Sequence, residues 1–450
     1  MMKERGYDML LIGNGRLVTK NQDQPYFENG AVVIENGIIK EVGEFAALKE
    51  KYADAEFVDA KGKVIMPGMI NTHMHIYSAF ARGMALDGPV SKNFTDILNN
   101  LWWRLDKTLT LEDTRYSAYT TLLDCIKTGT TTVFDHHASP YAVEGSLFEI
   151  ADVAKELGIR TSLCYEVSDR DGEEILKAGI KENADFIKYA NNGDQDMVKG
   201  MFGMHASFTL SDKSLEQCAE AMEGLNAGYH VHTAEGIDDL KDCLENHGKR
   251  IVERLNDFNI LGDKTIAVHC IHIDENEMDI LKTTKTNVVH NPESNMGNAV
   301  GCSPVIKMLE KGIQVGLGTD GYTADMFESI KVGNIIHKHH LGDPSVAWGE
   351  IPQMQYQNNR NIAGKYFNTQ LGMLTEGAAG DVIIVDYDPL TPMTKDNIDS
   401  HILFGVCGKS VTHTIIGGNI LMKDREVLCV DEKAIFARSR ELAQAVWKRA

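Results

Sequence analysis

The chain has 450 residues, 43% of them hydrophobic and 24% charged, with a formal net charge of −20. That length accommodates one large domain and a smaller one, since single cores rarely grow beyond about 250 to 300 residues. The charge disfavours a nucleic-acid backbone as partner, and no run approaches the roughly 18 apolar residues that span a bilayer, so a membrane is also disfavoured and small molecules are the expected partners.

The start, MMKERGYDMLLIG, reads as a short strand without the apolar region and cleavage site of a signal peptide, which sets the expectation of a cytoplasmic protein. Residues 1–62 then read as β structure: MLLIGN, RLVTK and GAVVIENGIIKEVG, with Asn36-Gly37 as a hairpin turn. The same texture returns in GDVIIVDYDP, HTIIGGNILM and EVLCVD. Residues 1–62 and 371–450 are therefore expected to pair into one small β-sandwich domain.

Between them, over 63–370, short apolar runs alternate with helical periods, the signature of βα units. The candidate strands are VIMPGMINTHMH, TTVFDHH, RTSLCYEV, GMFGMHA, YHVHTA, TIAVHC, NVVHN and IQVGLGTD. Eight units in this span match a closed (β/α)₈ TIM barrel better than an open doubly wound sheet. The class is α/β.

Nearly every one of these strands ends on a residue able to hold a metal or move a proton: His73 and His75, His136, His205, His232, His269, His290 and Asp320. A single histidine is ordinarily a satisfied core or surface residue, but this shared bias is not ordinary. In a parallel barrel the C-terminal strand ends meet at one mouth. His73 and His75, two apart on a strand, point to the same face and can share one ion. His232 and Asp320 complete a ligand set for one divalent metal ion per chain, best suited to Zn²⁺, with Fe²⁺ or Mn²⁺ as alternatives. Glu235, in HTAE, is placed to serve as general base and then general acid, the competing role being a helix-start carboxylate. His269 is a second proton-transfer candidate or an orienting group.

Other features compete for attention. GLGTDG, residues 316–321, matches G-x-G-x-x-G but falls at the eighth strand, where Asp320 is wanted by the metal. The histidines at 337, 339 and 340 are expected on a solvated helix face. Trp102-Trp103, in LWWRLD, offers aromatic faces that either cap a flat substrate or pack in the core. Eight scattered cysteines without a CxxC argue for reduced thiols and against a cysteine-ligated zinc deaminase.

PGMINTHMH, HTAE, VHC, HNPESNM and GLGTDG together resemble the amidohydrolase superfamily, in the branch with guanine deaminase, S-adenosylhomocysteine deaminase and the triazine hydrolases. LWWRLD, FDHHASP and HNPESNM are most similar to the aminohydrolases called SsnA, associated with purine breakdown. The resemblance covers essentially the whole chain. It implies His73, His75, His232 and Asp320 as metal ligands, and Glu235, His269 and Asp320 as catalytic residues. His205 stands where two-metal relatives carry a bridging Lys, which implies a single metal. By the same likeness, His136, His205 and Asn291 are substrate-binding candidates, and Trp103 joins them as an aromatic face.

The function expected is hydrolytic deamination of an amino-substituted, purine-like or other nucleobase-like heterocycle. The alternatives are cleavage of a ring amide, displacement of halide, or a catalytically idle barrel that serves as a binding protein; an idle barrel would have lost a ligand or Glu235, and none is missing. Oligomeric state is left open, a homodimer included.

Overall fold

The computed structural model describes residues 9–85, 87–191 and 196–450. The first eight residues of the sequence reading thus lie outside the described residues. Two parallel sheets carry the middle of the chain. One orders Met69–Met74, Thr130–Asp135, Arg160–Leu163 and Val198–Gly200, and the other orders Phe202–Met204, Tyr229–Thr233, Ile266–His269, Asn287–His290 and Val315–Leu317. All eight strands expected from the sequence are present, the fourth broken at Met201 between the two sheets. Each is buried along its entire length, as expected of parallel strands covered on both faces.

Helices follow the strands for local reasons that can be read residue by residue. Leu111–Thr128 begins at a Thr110/Asp113 capping box and ends at Gly129, whose φ of 82° provides the left-handed stop. The chain turns there directly into Thr130–Asp135.

The first and eighth strands approach each other with few backbone bonds. Met74 and Asp320 form an isolated parallel bridge, and the amides of Thr319 and Asp320 donate to the His73 carbonyl at 2.9 and 3.0 Å. Lower down, the buried side chain of Asn359 replaces the ladder. Its Nδ2 donates to the carbonyls of Ile70 and Leu317, both at 2.8 Å, and its Oδ1 accepts from the Leu317 amide at 2.8 Å and from Thr72 Oγ1 at 3.1 Å. Beneath, Ile70, Phe134, Cys164, Val268 and Val289 meet Ile362, Tyr366 and Phe367 in one apolar cluster that closes the N-terminal ends of the strands.

A nine-stranded mixed sheet joins the two ends of the chain: Met9–Val18 pairs with Tyr26–Glu35 and in parallel with Val64–Pro67, which pairs antiparallel with Val382–Val385. Asn36 and Gly37, with φ of 50° and 80°, make the expected two-residue hairpin turn. Three details differ from the sequence reading. MLLIGN and RLVTK form one bulged strand. HTIIGGNILM is a hairpin, turning at Gly417-Gly418 between Val411–Ile416 and Asn419–Lys423. VIMPGMINTHMH divides at Gly68, where a Cβ would sit 2.2 Å from Thr131 Oγ1, so that Val64–Pro67 belongs to the mixed sheet. The last helix, Glu432–Arg449, packs Leu442 and Val446 against Tyr77, Phe80 and Leu105 rather than against the mixed sheet. No helix among the described residues is long and apolar enough to cross a membrane.

Replacing Asn359 by Leu orphans the buried Leu317 amide, at about 1 to 3 kcal/mol, and removes further hydrogen bonds worth about 1 kcal/mol each to the carbonyls of Ile70 and Leu317, which keep Gln355 Nε2 and Thr72 Oγ1 as donors. The expected loss is about 3 kcal/mol or more of unfolding free energy, read from urea denaturation; a change within about 0.5 kcal/mol would show that the seam holds without it.

Candidate active site

The strand ends bring His73, His75, His232, His269 and Asp320 together, with ligand atoms of His73, His75 and Asp320, and of His73, His232 and His269, within 4.8 Å of one another. Each ring has one nitrogen committed to the protein. His73 Nδ1 lies 2.9 Å from His230 Nε2, His75 Nδ1 lies 2.6 Å from the His136 carbonyl, and His232 Nδ1 lies 3.1 Å from the His205 carbonyl. With Nδ1–H donating in all three, every Nε2 presents a lone pair. His232 Nε2 is 3.3 Å from His75 Nε2, and Asp320 Oδ1 is 3.1 Å from His75 Nε2 and 3.9 Å from His73 Nε2. His73 Nε2 is fully buried without any hydrogen-bond partner. Three imidazole lone pairs and one carboxylate, already oriented from behind, form a donor set that fits a divalent cation such as Zn²⁺.

Asp320 is fixed by Ser294 Oγ, which donates to its Oδ2 at 2.7 Å. Burial opposes its charge, but His75, His269 and Ser294 together hold its carboxyl well below the usual carboxylate range, and against burial Asp320 in return raises His75 to about 9, a shared proton at Nε2 whose place a bound cation would take. Glu235 behaves oppositely. Burial, followed by the nearby charge of Asp320, pushes its carboxyl well above the ordinary value, against a hydrogen bond from Asn298. Glu235 Oε2 sits 3.4 Å from His269 Nε2, which is itself 3.6 Å from Asp320 Oδ2. Two carboxyl groups with their proton affinities driven apart suit one for a permanently ionised role and the other for carrying a proton.

The backbone is strained where these groups are presented. Ala234, His269, Cys270 and Asp320 all have positive φ, between 49° and 71°, a region that non-glycine residues rarely adopt. Hydrogen bonds from Cys270 N to Thr233 O and from Asp320 N to His73 O hold two of these turns. Gly318 serves the same packing: a Cβ there would lie 2.8 Å from the His73 carbonyl, so GLGTDG keeps its glycine for strand-to-strand approach and not for a phosphate.

A pocket above the cluster is lined by His75, His232, Glu235 and Asp320 together with His205, Trp103, Trp102, Tyr77, Glu166 and Asn298. Trp102, Asn298 and Asp320 also wall an adjoining cavity of about 440 Å³. His205 and Trp103 therefore stand where the sequence suggested, the ring of Trp103 being 6.0 Å from His205 and covered by the Arg170 guanidinium at 5.2 Å.

His136 and Asn291 do not line the pocket. His136 is fully buried, with Nε2 3.1 Å from the carbonyls of both Met204 and His230 and Nδ1 3.3 Å from Glu166 Oε2. Asn291 is buried behind His269. His337, expected on a solvated face, is also buried, whereas His339 and His340 are exposed. Sequence reasoning missed Glu166, which follows the third strand in CYEV and meets His136, and His230, which precedes His232 by two and faces the same way. The alternation of YHVHTA carried that signal.

A model of the amidohydrolase family matches residues 64–421, and one of a bacterial imidazolonepropionase-like composite domain matches residues 30–55. The chain belongs to the amidohydrolase family. It is 34% identical to a 5'-deoxyadenosine deaminase of Methanosarcina acetivorans, over 98% of this chain and 99% of that one. A 5-methylthioadenosine/S-adenosylhomocysteine deaminase of Thermoanaerobacter pseudethanolicus is 29% identical over 97% and 99%. The crystal structure of a zinc-bound adenosine deaminase from Xanthomonas campestris superposes with a TM-score of 0.85 at 23% identity, covering 97% of this chain and 98% of that chain, a likeness of fold.

Because His230 Nε2 accepts the hydrogen bond from His73 Nδ1–H and so leaves His73 Nε2 free, His230→Phe is expected to weaken metal binding about 10- to 100-fold. Competition against a chromophoric chelator measures this; wild-type affinity in the variant would remove His230 from the site.

Proposed function

We propose that this protein is a metal-dependent hydrolytic deaminase acting on a purine-like, nucleoside-type heterocycle and releasing ammonia. The observation that carries the reading is the convergence, on one pocket, of three oriented Nε2 atoms, the Asp320 carboxylate and Glu235, its proton affinity raised, beside His269. The deaminases among its relatives, two of them named for adenosine derivatives, agree with it. The metal is proposed as one ion per chain, Zn²⁺ best suiting the donors, held by His73, His75, His232 and Asp320.

We read the two parallel sheets as halves of one closed (β/α)₈ barrel, supported by the Met74–Asp320 bridge at one seam and the Val167–Met204 bridge at the other. The mixed sheet is then the small domain built from residues 1–62 and 371–450, extended by Val64–Pro67.

When bound, the cation would act as a Lewis acid and lower the proton affinity of a water molecule at the pocket floor. The chain's own groups supply the rest. Glu235 Oε2 takes one water proton and passes it to the ring nitrogen as the oxygen adds, then carries the remaining hydroxyl proton to the departing exocyclic amine, so that an N=C–NH₂ unit and water yield HN–C=O and ammonia. His269 Nε2, within reach of both Glu235 and Asp320, offers a lone pair that accepts a hydrogen bond from the attacking water or from the proton carried by Glu235. Trp103 and Trp102 give flat faces for the ring, and His205 keeps a nitrogen toward the pocket because its Nδ1 is engaged by Thr209 Oγ1 at 2.6 Å.

Glu235→Gln is expected to retain metal while kcat falls about 10²- to 10⁴-fold. Ammonia release should be measured for this variant and the wild type over 5'-deoxyadenosine, adenosine, guanine, dihydro-ring amides and chlorinated triazines. Ring opening or halide release far faster than any ammonia formation would overturn the deaminase reading.

A further inference from the structure

Behind the pocket, an unbroken line of side-chain contacts runs from His269 to the protein surface. His269 Nδ1 lies 2.8 Å from Asn295 Oδ1; Asn295 Nδ2 lies 3.4 Å from His290 Nδ1; His290 Nε2 lies 3.0 Å from His337 Nε2; and His337 Nδ1 lies 3.5 Å from Cys302 Sγ. His269, Asn295, His290 and His337 are all buried, and Cys302 is half-buried. They come from the sixth and seventh parallel strands, the Pro292–Gly297 helix, the Met326–Leu341 helix and the loop at 302.

With Asn295 Oδ1 toward His269 and its Nδ2 toward His290, the donors and acceptors along this line have one consistent order. An amide oxygen can only accept, so Nδ1–H of His269 donates to Asn295. An amide nitrogen can only donate, so His290 Nδ1 is the acceptor and His290 Nε2 carries its proton. That proton faces His337 Nε2, which must accept, and His337 Nδ1–H is left to donate to the Cys302 sulfur. Each ring is neutral in this order. Burial lowers the proton affinity of His290 well below the ordinary imidazole value and that of His337 to about 4, and it pushes the Cys302 thiol up to about 11. Asn291 Nδ2 also approaches His269 Nδ1, at 3.5 Å, but the 2.8 Å contact with Asn295 is the stronger and sets the direction.

We propose that Asn295, His290 and His337 are positioning residues, a polarised hydrogen-bond chain that fixes His269 as the Nδ1–H tautomer and turns its Nε2 lone pair into the pocket toward Glu235, the carboxyl that carries the proton. This rests on the reading of His269 as a group that contacts the reacting atoms. The chain orients and does not conduct: an amide in its middle cannot pass a proton onward, so no proton leaves the pocket this way. Its far partner is a weak acceptor, which polarises His337 without holding a charge. The strained φ of 71° at His269 gives the ring its approach, and the chain behind it removes the remaining freedom of rotation.

The test has two arms. In the zinc-loaded, ¹⁵N-histidine-labelled protein, nitrogen chemical shifts should identify His269 and His337 as Nδ1–H tautomers and His290 as Nε2–H; a His290 protonated at Nδ1 overturns the proposal without any substitution. In the second arm, His337→Phe should lower kcat for 5'-deoxyadenosine about 10-fold or more with KM and metal content unchanged, and His337→Gln, which can still accept and donate, should recover much of it. Normal kcat in His337→Phe overturns the chain when Glu235→Gln, assayed beside it, has lost turnover. If Glu235→Gln also turns over normally, the reading of the site falls and the chain's role falls with it.

Discussion

Every buried imidazole nitrogen needs a partner, because a polar group removed from water without one costs several kcal/mol. This chain buries His73, His75, His230, His232 and His269 in one place, together with Asp320 and Glu235. It resolves the problem by assigning roles to the two nitrogens of the three proposed ligand rings: Nδ1 is satisfied from behind, and Nε2 is turned to a common point. The rest of the structure follows from that constraint. The carbonyls of His136 and His205 can serve as partners only because parallel strands end side by side, and the left-handed turns at Ala234, His269 and Asp320 are the cost of bringing three strand ends within reach.

The same burial divides the carboxylates. Asp320 remains ionised because a proton on His75, or a cation in its place, and the Ser294 hydroxyl lie against it, whereas Glu235, opposed only by Asn298, is governed by burial and the charge of Asp320. Glu166 is a third carboxylate in the pocket, held well below the ordinary range by His205, His136 and Arg170 against strong desolvation. The pocket is thus acidic, and its nearest guanidinium, Arg170, is already engaged by Asp106 and spread over Trp103. A cation at the floor and a neutral or weakly charged ring above it complement such a surface.

Much of this was legible in the sequence because strand periodicity and strand ends carry it. Eight apolar runs located eight parallel strands, and the two-residue spacing of His73 and His75 placed both rings on one face. Orientation behind the strands was not legible. His136 occupies a strand end like the others, yet its ring turns under the site toward two carbonyls, a choice made by neighbours distant in sequence. Asn291 was misplaced for the same reason, and His337 looked solvent-facing because a helical period cannot reveal that His290 waits across the gap. Asn359, which closes the seam between the first and last parallel strands, gives no local signal: its role exists only once residues 70, 72 and 317 are adjacent.

The most direct test is a crystal structure of protein purified without chelators, with anomalous diffraction measured at the absorption edges of zinc, iron and manganese and elemental analysis of the same sample. The account predicts one transition-metal ion per chain, in contact with Nε2 of His73, His75 and His232 and with the Asp320 carboxylate. Two ions bridged across His205, or a fully active protein with no metal at these four side chains, would contradict it.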